Sequence, residues 1–109
     1  MIQPSNGNGS SKVTVYIDPD LEALVPKFLE NRRKDSAALA AAIQENDLRT
    51  VRLLGHRMKG DGGGYGFVEI SRIGDVLEQA ALREDREVMK QQAAALAHFL
   101  AKVEVVYRR

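Results

Sequence analysis

The chain has 109 residues, of which 44% are hydrophobic, enough for one domain with a core of its own. It contains no cysteine, so disulfide bonds and thiolate metal sites are excluded. Sixteen basic residues against fifteen acidic ones give a net charge of +1, which provides no general attraction for nucleic acid or for a membrane surface. No apolar run approaches the length of a membrane span and the first residues lack the apolar region of a signal peptide, so we expect a cytoplasmic protein.

The N-terminal region differs in composition from the rest. Residues 1–12 are rich in glycine, serine and asparagine, so we predict a disordered tail or linker there and a single folded domain over residues 13–109. The first part of that domain, VTVYI at 13–17, alternates weakly and could be extended. Because no partner strand is evident, we predict no sheet.

The remainder of the chain is patterned as helix. Asp18 and Pro19 form a helix start, in which a side-chain cap precedes the residue tolerated at the first helical position. Since Pro26 would interrupt a helix interior, we predict a short first helix that breaks or kinks there. Four long amphipathic helices follow. The first spans about 26–45, and the second begins after a cap at Asn46 or Asp47. The third spans about 66–83, and the fourth begins after a cap at Asp85 and extends as far as Val103 and Val106. The predicted fold is therefore all-α, an up-down four-helix bundle with a short extra N-terminal helix.

A run of glycine follows the histidine near the middle of the chain. Residues 56–67 read HRMKGDGGGYGF, although an interior glycine costs a helix about 1 kcal/mol relative to alanine. At about 100° per residue, one arc beside the core stripe collects Arg49, Arg52, His56, Lys59, Gly60 and Gly63. Gly60 and Gly63 then leave bare backbone next to His56, where another macromolecule could approach closely. Gly62 and Gly64 lie on other faces, and they either allow close helix packing or mark a fraying helix end.

The residue types on this arc are suited to phosphoryl chemistry. An exposed, neutral imidazole is a nucleophile toward phosphorus, and Lys59 can stabilise the negative charge of a phosphoryl group. A metal site is not expected, because the chain has only two distant histidines and no cysteine. The second histidine, His98, adjoins a core residue and is interpreted as structural or solvent-facing.

The motif carries a family resemblance. His56-x-x-Lys59-Gly60, followed by five residues and Gly66, resembles the H-x-[LM]-K-G-x(5)-G signature of histidine-containing phosphotransfer (HPt) domains. The resemblance extends over about 18–107, including the order of four helices. It implies that His56 accepts a phosphoryl group from a receiver-domain aspartate and passes it to another, that Lys59 neutralises its charge and that Gly60 gives the receiver room. The run of three glycines departs from the family, in which many members carry Ser, Ala or Asn at those positions.

The same resemblance implies the partners. We expect response-regulator receiver domains, and a hybrid sensor histidine kinase as a further candidate, to dock on Gly60, Gly63, Arg52, Arg49 and Leu53. The chain would bind no cofactor itself, the receiver would supply Mg²⁺, and the chain would act as a monomeric phosphocarrier without independent turnover. For Leu53 two interpretations stand side by side, packing under the short N-terminal helix or membership of an apolar docking patch. The charge run 32–34, RRK, is interpreted as a solvated helix face, with a contribution to a docking rim as the alternative.

Two other functions compete with the phosphocarrier. The first is an interaction module that binds receivers without being phosphorylated. The second is the phosphoacceptor bundle of a histidine kinase, in which an acidic residue normally follows the histidine and two chains build the bundle. Here Arg57 follows His56, one chain supplies four helices, and we expect no room for an ATP-binding domain.

Overall fold

The computed structural model describes residues 12–108, so the predicted tail at 1–12 lies outside it except for its last residue. Four helices form the main body: α1 (Val25–Gln44), α2 (Leu48–Gly64), α3 (Val68–Arg83) and α4 (Arg86–Lys102). Connections of two or three residues join them, which requires consecutive helices to run antiparallel. Because α1 also packs against α4, the helices close around one core, and the predicted four-helix bundle is confirmed.

The segment before α1 differs from the prediction. In place of a short N-terminal helix, the structure has one 3₁₀ turn at Pro19–Leu21, where the Asp18 carboxylate accepts a hydrogen bond from the N–H of Asp20. The long helix does begin at the predicted place, close to Pro26. Since α1 begins at Val25, this proline lies in the first turn, where its missing N–H is not needed.

Two strands form a small sheet that we did not predict. β1 (Val13–Ile17) pairs in parallel with β2 (Val103–Tyr107), and Val13 lies opposite Val103. The statement that VTVYI lacks a partner was therefore wrong, as was the extension of the last helix through Val103 and Val106. An isolated two-stranded sheet is only marginally stable in water. Here Ile17 is buried and the inward-facing valines pack against the helical core, which supplies the missing stabilisation.

The core faces of the helices agree with the three- and four-residue spacing of apolar residues. Leu39, Met58, Ile70, Leu77 and Leu96 are fully buried, one or more from each helix. An aromatic cluster closes one end of the bundle, where the ring of Phe28 stacks on Tyr65 at 4.4 Å and on Phe67 at 5.1 Å. The position of α2 is thus set by packing along its whole length.

The predicted caps begin two of the helices. Asp47 caps α2 and Asp85 caps α4, each accepting a hydrogen bond from the N–H three residues later. The Asp47 carboxylate also accepts a bond of 2.7 Å from the Thr50 hydroxyl. The hydroxyl and the N–H of Thr50 together hold the pKa of Asp47 below its usual value, so this cap stays charged and fixes the first turn of α2.

A network of ion pairs around the buried Arg32 and Asp35 connects α1 to α2. Arg33 and Lys34 are exposed as predicted, but Arg32 is only 7% exposed, so the solvated interpretation was wrong for that residue. Its guanidinium lies 3.0 Å from Asp35 and donates a hydrogen bond of 3.1 Å to Asp61 on α2. The Asp35 carboxylate also accepts from Arg57 on α2 at 3.3 Å. α1 therefore holds α2 on both sides of the Lys59–Gly60 pair.

Candidate functional site

His56 lies in the middle of α2 with its ring largely in solvent. Its side chain is 73% exposed, and the other residues of the predicted arc, Arg49, Arg52, Lys59, Gly60 and Gly63, are also exposed. A Cβ atom added at Gly60 would meet no atom within 4 Å. The surface beside the imidazole is therefore open, as a macromolecular partner would require.

A carboxylate from the neighbouring helix contacts the imidazole. The Oε2 atom of Glu78, on α3, lies 3.0 Å from Nδ1 of His56, and the Glu78 side chain is mostly buried. Because a carboxylate can only accept, the contact requires the proton of the neutral ring to be on Nδ1. Nε2 then presents its lone pair to solvent. The contact thus favours one orientation of the ring and leaves the lone pair of the neutral ring on Nε2.

Lys59 lies between the same carboxylate and a second one. Its Nζ atom is 3.2 Å from Oδ1 of Asp75 and 4.0 Å from Oε1 of Glu78. The two oxygens of Glu78 therefore face the imidazole of His56 and the ammonium of Lys59. The backbone is held as well, since the carbonyl of Lys59 accepts a hydrogen bond of 2.7 Å from the Ser71 hydroxyl.

Glycines bring α2 and α3 close enough for these contacts. A Cβ on Gly74 would lie 2.5 Å from the carbonyl oxygen of Gly55, and one on Gly62 would lie 2.6 Å from the backbone nitrogen of Ser71. Such distances exclude any side chain without movement of the backbones. Gly62 therefore serves close helix packing, whereas Gly64 faces open space and is the last residue of α2. The packing roles of Gly55 and Gly74 were not predicted.

The last glycine of the motif has a backbone role. Gly66 has a φ of +85°, a conformation that glycine adopts without strain. Its N–H donates to the carbonyl of Gly63 at 3.2 Å, and the N–H of Phe67 donates to Gly62 at 2.8 Å. These bonds satisfy carbonyls at the end of α2 and direct the chain into α3.

Two exposed leucines lie on α2 and α3, within one turn of His56 and of Glu78 respectively. Leu53, one turn before His56 on α2, is 55% exposed, so the interpretation in which it packs under an N-terminal helix was wrong. Leu82, one turn after Glu78 on α3, is 60% exposed and was not predicted. The site therefore has an apolar residue on each of its two helices.

Within residues 12–108, no group of three or more histidine, aspartate or glutamate side chains is placed to hold a metal ion. None of the helices in that range is both long and apolar enough to cross a membrane. His98 is exposed on α4, consistent with the solvent-facing interpretation.

These features define a class of protein, a helical bundle that displays one oriented histidine beside a lysine and a bare glycine. A comparison with protein families matches residues 23–105 to the Hpt domain. The chain belongs to the Hpt domain family, whose members take part in histidine phosphotransfer in two-component phosphorelays and interact with receiver domains. The match spans all four helices. No curated protein and no solved structure matches the chain.

Proposed function

We propose that this chain is a phosphocarrier in which His56 takes a phosphoryl group from the aspartate of one receiver domain and passes it to the aspartate of another. The observation that carries the proposal is the contact between Glu78 and Nδ1 of His56 in a member of the Hpt family. That contact leaves Nε2 as an exposed nucleophile on an open surface. The imidazole needs no separate base, because it reacts through a lone pair it already has.

The transfer proceeds at Nε2. Its lone pair attacks the phosphorus of the receiver's aspartyl phosphate, a P–N bond forms, and the P–O bond to aspartate breaks with its electron pair going to the receiver carboxylate. The ring becomes positively charged while its Nδ1 proton stays on the hydrogen bond to Glu78, whose negative charge stabilises it. In the second transfer a receiver carboxylate attacks the same phosphorus and the P–N bond breaks.

The residues around His56 would bind the receiver and neutralise the charge of the phosphoryl group. Lys59 would stabilise the charge of the phosphoryl group, and Gly60 with Gly63 would let the receiver backbone approach the ring. Arg49 and Arg52 would face the acidic surroundings of the receiver's phosphoacceptor. Arg52 is exposed and makes no ion pair among residues 12–108, so it is free to do so. Leu53 would provide apolar contact at the edge of the interface.

The remaining expectations belong to the same proposal. The receiver would hold the Mg²⁺ ion, so this chain would act without a cofactor of its own and without independent turnover. A receiver of a hybrid sensor histidine kinase is a candidate donor. We expect the chain to be a monomer and to act in the cytoplasm, where receiver domains and their kinases meet.

A transfer assay tests the proposal. The full chain is incubated with a receiver domain carrying ³²P, and we expect a label on the chain that is labile in acid and stable in alkali. His56→Gln should abolish the label, while Lys59→Ala should slow transfer without unfolding the chain, because the Lys59 side chain is half exposed. Label that persists in His56→Gln would contradict the proposal, and receiver binding without label would favour an interaction module.

A further inference from the structure

Lys59 is already engaged by two carboxylates of α3. Its Nζ atom lies between Asp75 at 3.2 Å and Glu78 at 4.0 Å, and the other oxygen of Glu78 contacts Nδ1 of His56. Nδ1 and Nε2 lie on different edges of the imidazole ring. The two carboxylates of α3 therefore hold the ammonium, so Lys59 must give up part of its contact with Asp75 to neutralise a group on Nε2.

We propose that Asp75 competes with the phosphoryl group for Lys59 and thereby lowers the stability of phosphorylated His56. The inference rests on the proposed function. By holding Lys59 in an ion pair, Asp75 favours the unphosphorylated state of this chain. The phosphoryl group then passes to a receiver aspartate more readily than it would from a histidine with a free lysine beside it.

The charges around the ring support this competition. On the α3 side of the site, one ammonium faces two carboxylates, Asp75 and Glu78, while the nearest arginine of the arc, Arg52, lies one turn before His56 on α2. A phosphoryl group adds a charge of about −1.5 to −2 at neutral pH, and carboxylates nearby repel it. The closest other cation on this part of α3, Arg72, is engaged by Glu69 through two hydrogen bonds of 2.6 and 3.1 Å. Among residues 12–108, Lys59 is the one lysine or arginine in an ion pair with Asp75 or Glu78, so both carboxylates lose that partner when Lys59 moves to the phosphoryl group.

The side chains are placed for a reversible exchange. Both Lys59 and Asp75 are 49% exposed, so their ion pair is weak enough to open on phosphorylation. Glu78 is only 17% exposed and also holds the imidazole, so it stays in place while Lys59 moves. Asp75 contacts neither the imidazole nor any other cation among residues 12–108. It can therefore be replaced without removing the contact between Glu78 and His56.

Removing the charge of Asp75 should shift the equilibrium of phosphoryl transfer from the receiver toward His56. Asp75→Asn frees Lys59 for the phosphoryl group and removes one repelling carboxylate. We expect the ratio of phosphorylated chain to phosphorylated receiver to rise about two- to fivefold, the range typical of a half-exposed ion pair. Asp75→Glu, which keeps the charge, should return the ratio toward that of the wild type.

The experiment measures the distribution of ³²P between the full chain and a receiver domain after the exchange has reached equilibrium. This ratio does not depend on how fast the two proteins dock, so a role of Asp75 in docking alone would leave it unchanged. Glu104→Gln is the matched control, because it also neutralises a half-exposed carboxylate in a lysine ion pair, on β2, away from the α2–α3 surface.

The outcomes separate the inference from the proposed function. A rise with Asp75→Asn, and none with Glu104→Gln, supports the competition. An unchanged ratio, a shift toward the receiver, or an equal rise in both variants overturns it while leaving transfer through His56 intact. The proposed function itself would be refuted if the wild-type chain were phosphorylated neither by the receiver nor by phosphoramidate, a phosphoryl donor that needs no protein partner.

Discussion

The Nδ1 atom of His56 and the Oε2 atom of Glu78 lie 3.0 Å apart, although 22 residues separate them in the chain. The contact depends on the closeness of α2 and α3, which in turn depends on glycine at Gly55 and Gly74, where any side chain would overlap the opposite backbone. The orientation of the His56 ring therefore depends on the packing of α2 against α3. A change in the glycine contact should alter the chemistry of the histidine.

Replacement of Glu78 tests the orientation of the ring. Glu78→Ala removes the acceptor that holds the proton on Nδ1, so we expect transfer to His56 to slow about fivefold, the effect of losing about 1 kcal/mol of hydrogen bonding. Ring ¹⁵N chemical shifts measure the tautomer directly. They should show predominantly the Nδ1–H form in the wild type and a mixture in the variant. Equal tautomer populations in the two proteins would contradict the assigned role of Glu78.

Substitution by alanine at two nearby glycines, Gly60 and Gly62, should change the free energy of unfolding in opposite directions. Gly60→Ala faces open space and should raise the free energy of unfolding by up to about 1 kcal/mol, the difference in helix propensity. Gly62→Ala would force α2 away from Ser71 and should lower it by about 1–3 kcal/mol. Urea unfolding measures both. Equal effects would show that α2 and α3 are not packed as closely as described.

A larger side chain at Gly60 tests the docking surface. Gly60→Gln should leave the fold intact but slow phosphoryl transfer from a receiver about tenfold or more, because it separates the reacting atoms. Gly64→Gln is the control, since Gly64 also faces open space and lies one turn farther from His56. Equal transfer rates in the two variants would argue against docking of the receiver over Gly60.

The exposed leucines provide a second test of docking. Leu53→Ala and Leu82→Ala should each change the free energy of unfolding by less than about 0.5 kcal/mol, because both side chains are mostly in solvent. Both should slow transfer several-fold by weakening the complex with the receiver. Val68→Ala, at the start of α3, is the control for an exposed apolar residue away from His56. Loss of stability with normal transfer would contradict the docking role.

The buried guanidinium of Arg32 should matter for stability. Arg32→Ala leaves Asp35 buried with only the partly exposed Arg57 as a partner, so we expect a loss of about 3 kcal/mol in the free energy of unfolding. Lys34→Ala, at an exposed position on the same helix, should change it by less than about 0.5 kcal/mol. Urea unfolding compares them, and similar losses would show that the network contributes little.

Local signals account for what could be predicted from the sequence. Asp47 and Asp85 correctly predict the starts of α2 and α4, because a capping hydrogen bond joins residues only three positions apart. Apolar spacing likewise identifies the buried face of each helix. The motif from His56 to Gly66 is local as well, which is why the candidate site was found without knowledge of the fold.

Contacts between distant segments account for the failures. The spacing of the valines in β2 is compatible with a helix and with a strand. The segment is a strand because it pairs with β1, where Val13 lies opposite Val103. Glu78 and Asp75 reach the site only through the register of α3 on α2, which no local pattern contains. Arg32 in turn is buried because Asp35 and Asp61 meet it in the fold.

The most direct test of the account locates the phosphoryl group on the ring. The full chain, labelled with ¹⁵N in its histidines, is phosphorylated by a receiver domain, and the ring nitrogens of His56 are compared by NMR before and after transfer. The account predicts phosphorus bound to Nε2, with the proton still on Nδ1 beside Glu78. Phosphorus on Nδ1, on His98 or on no histidine would contradict it.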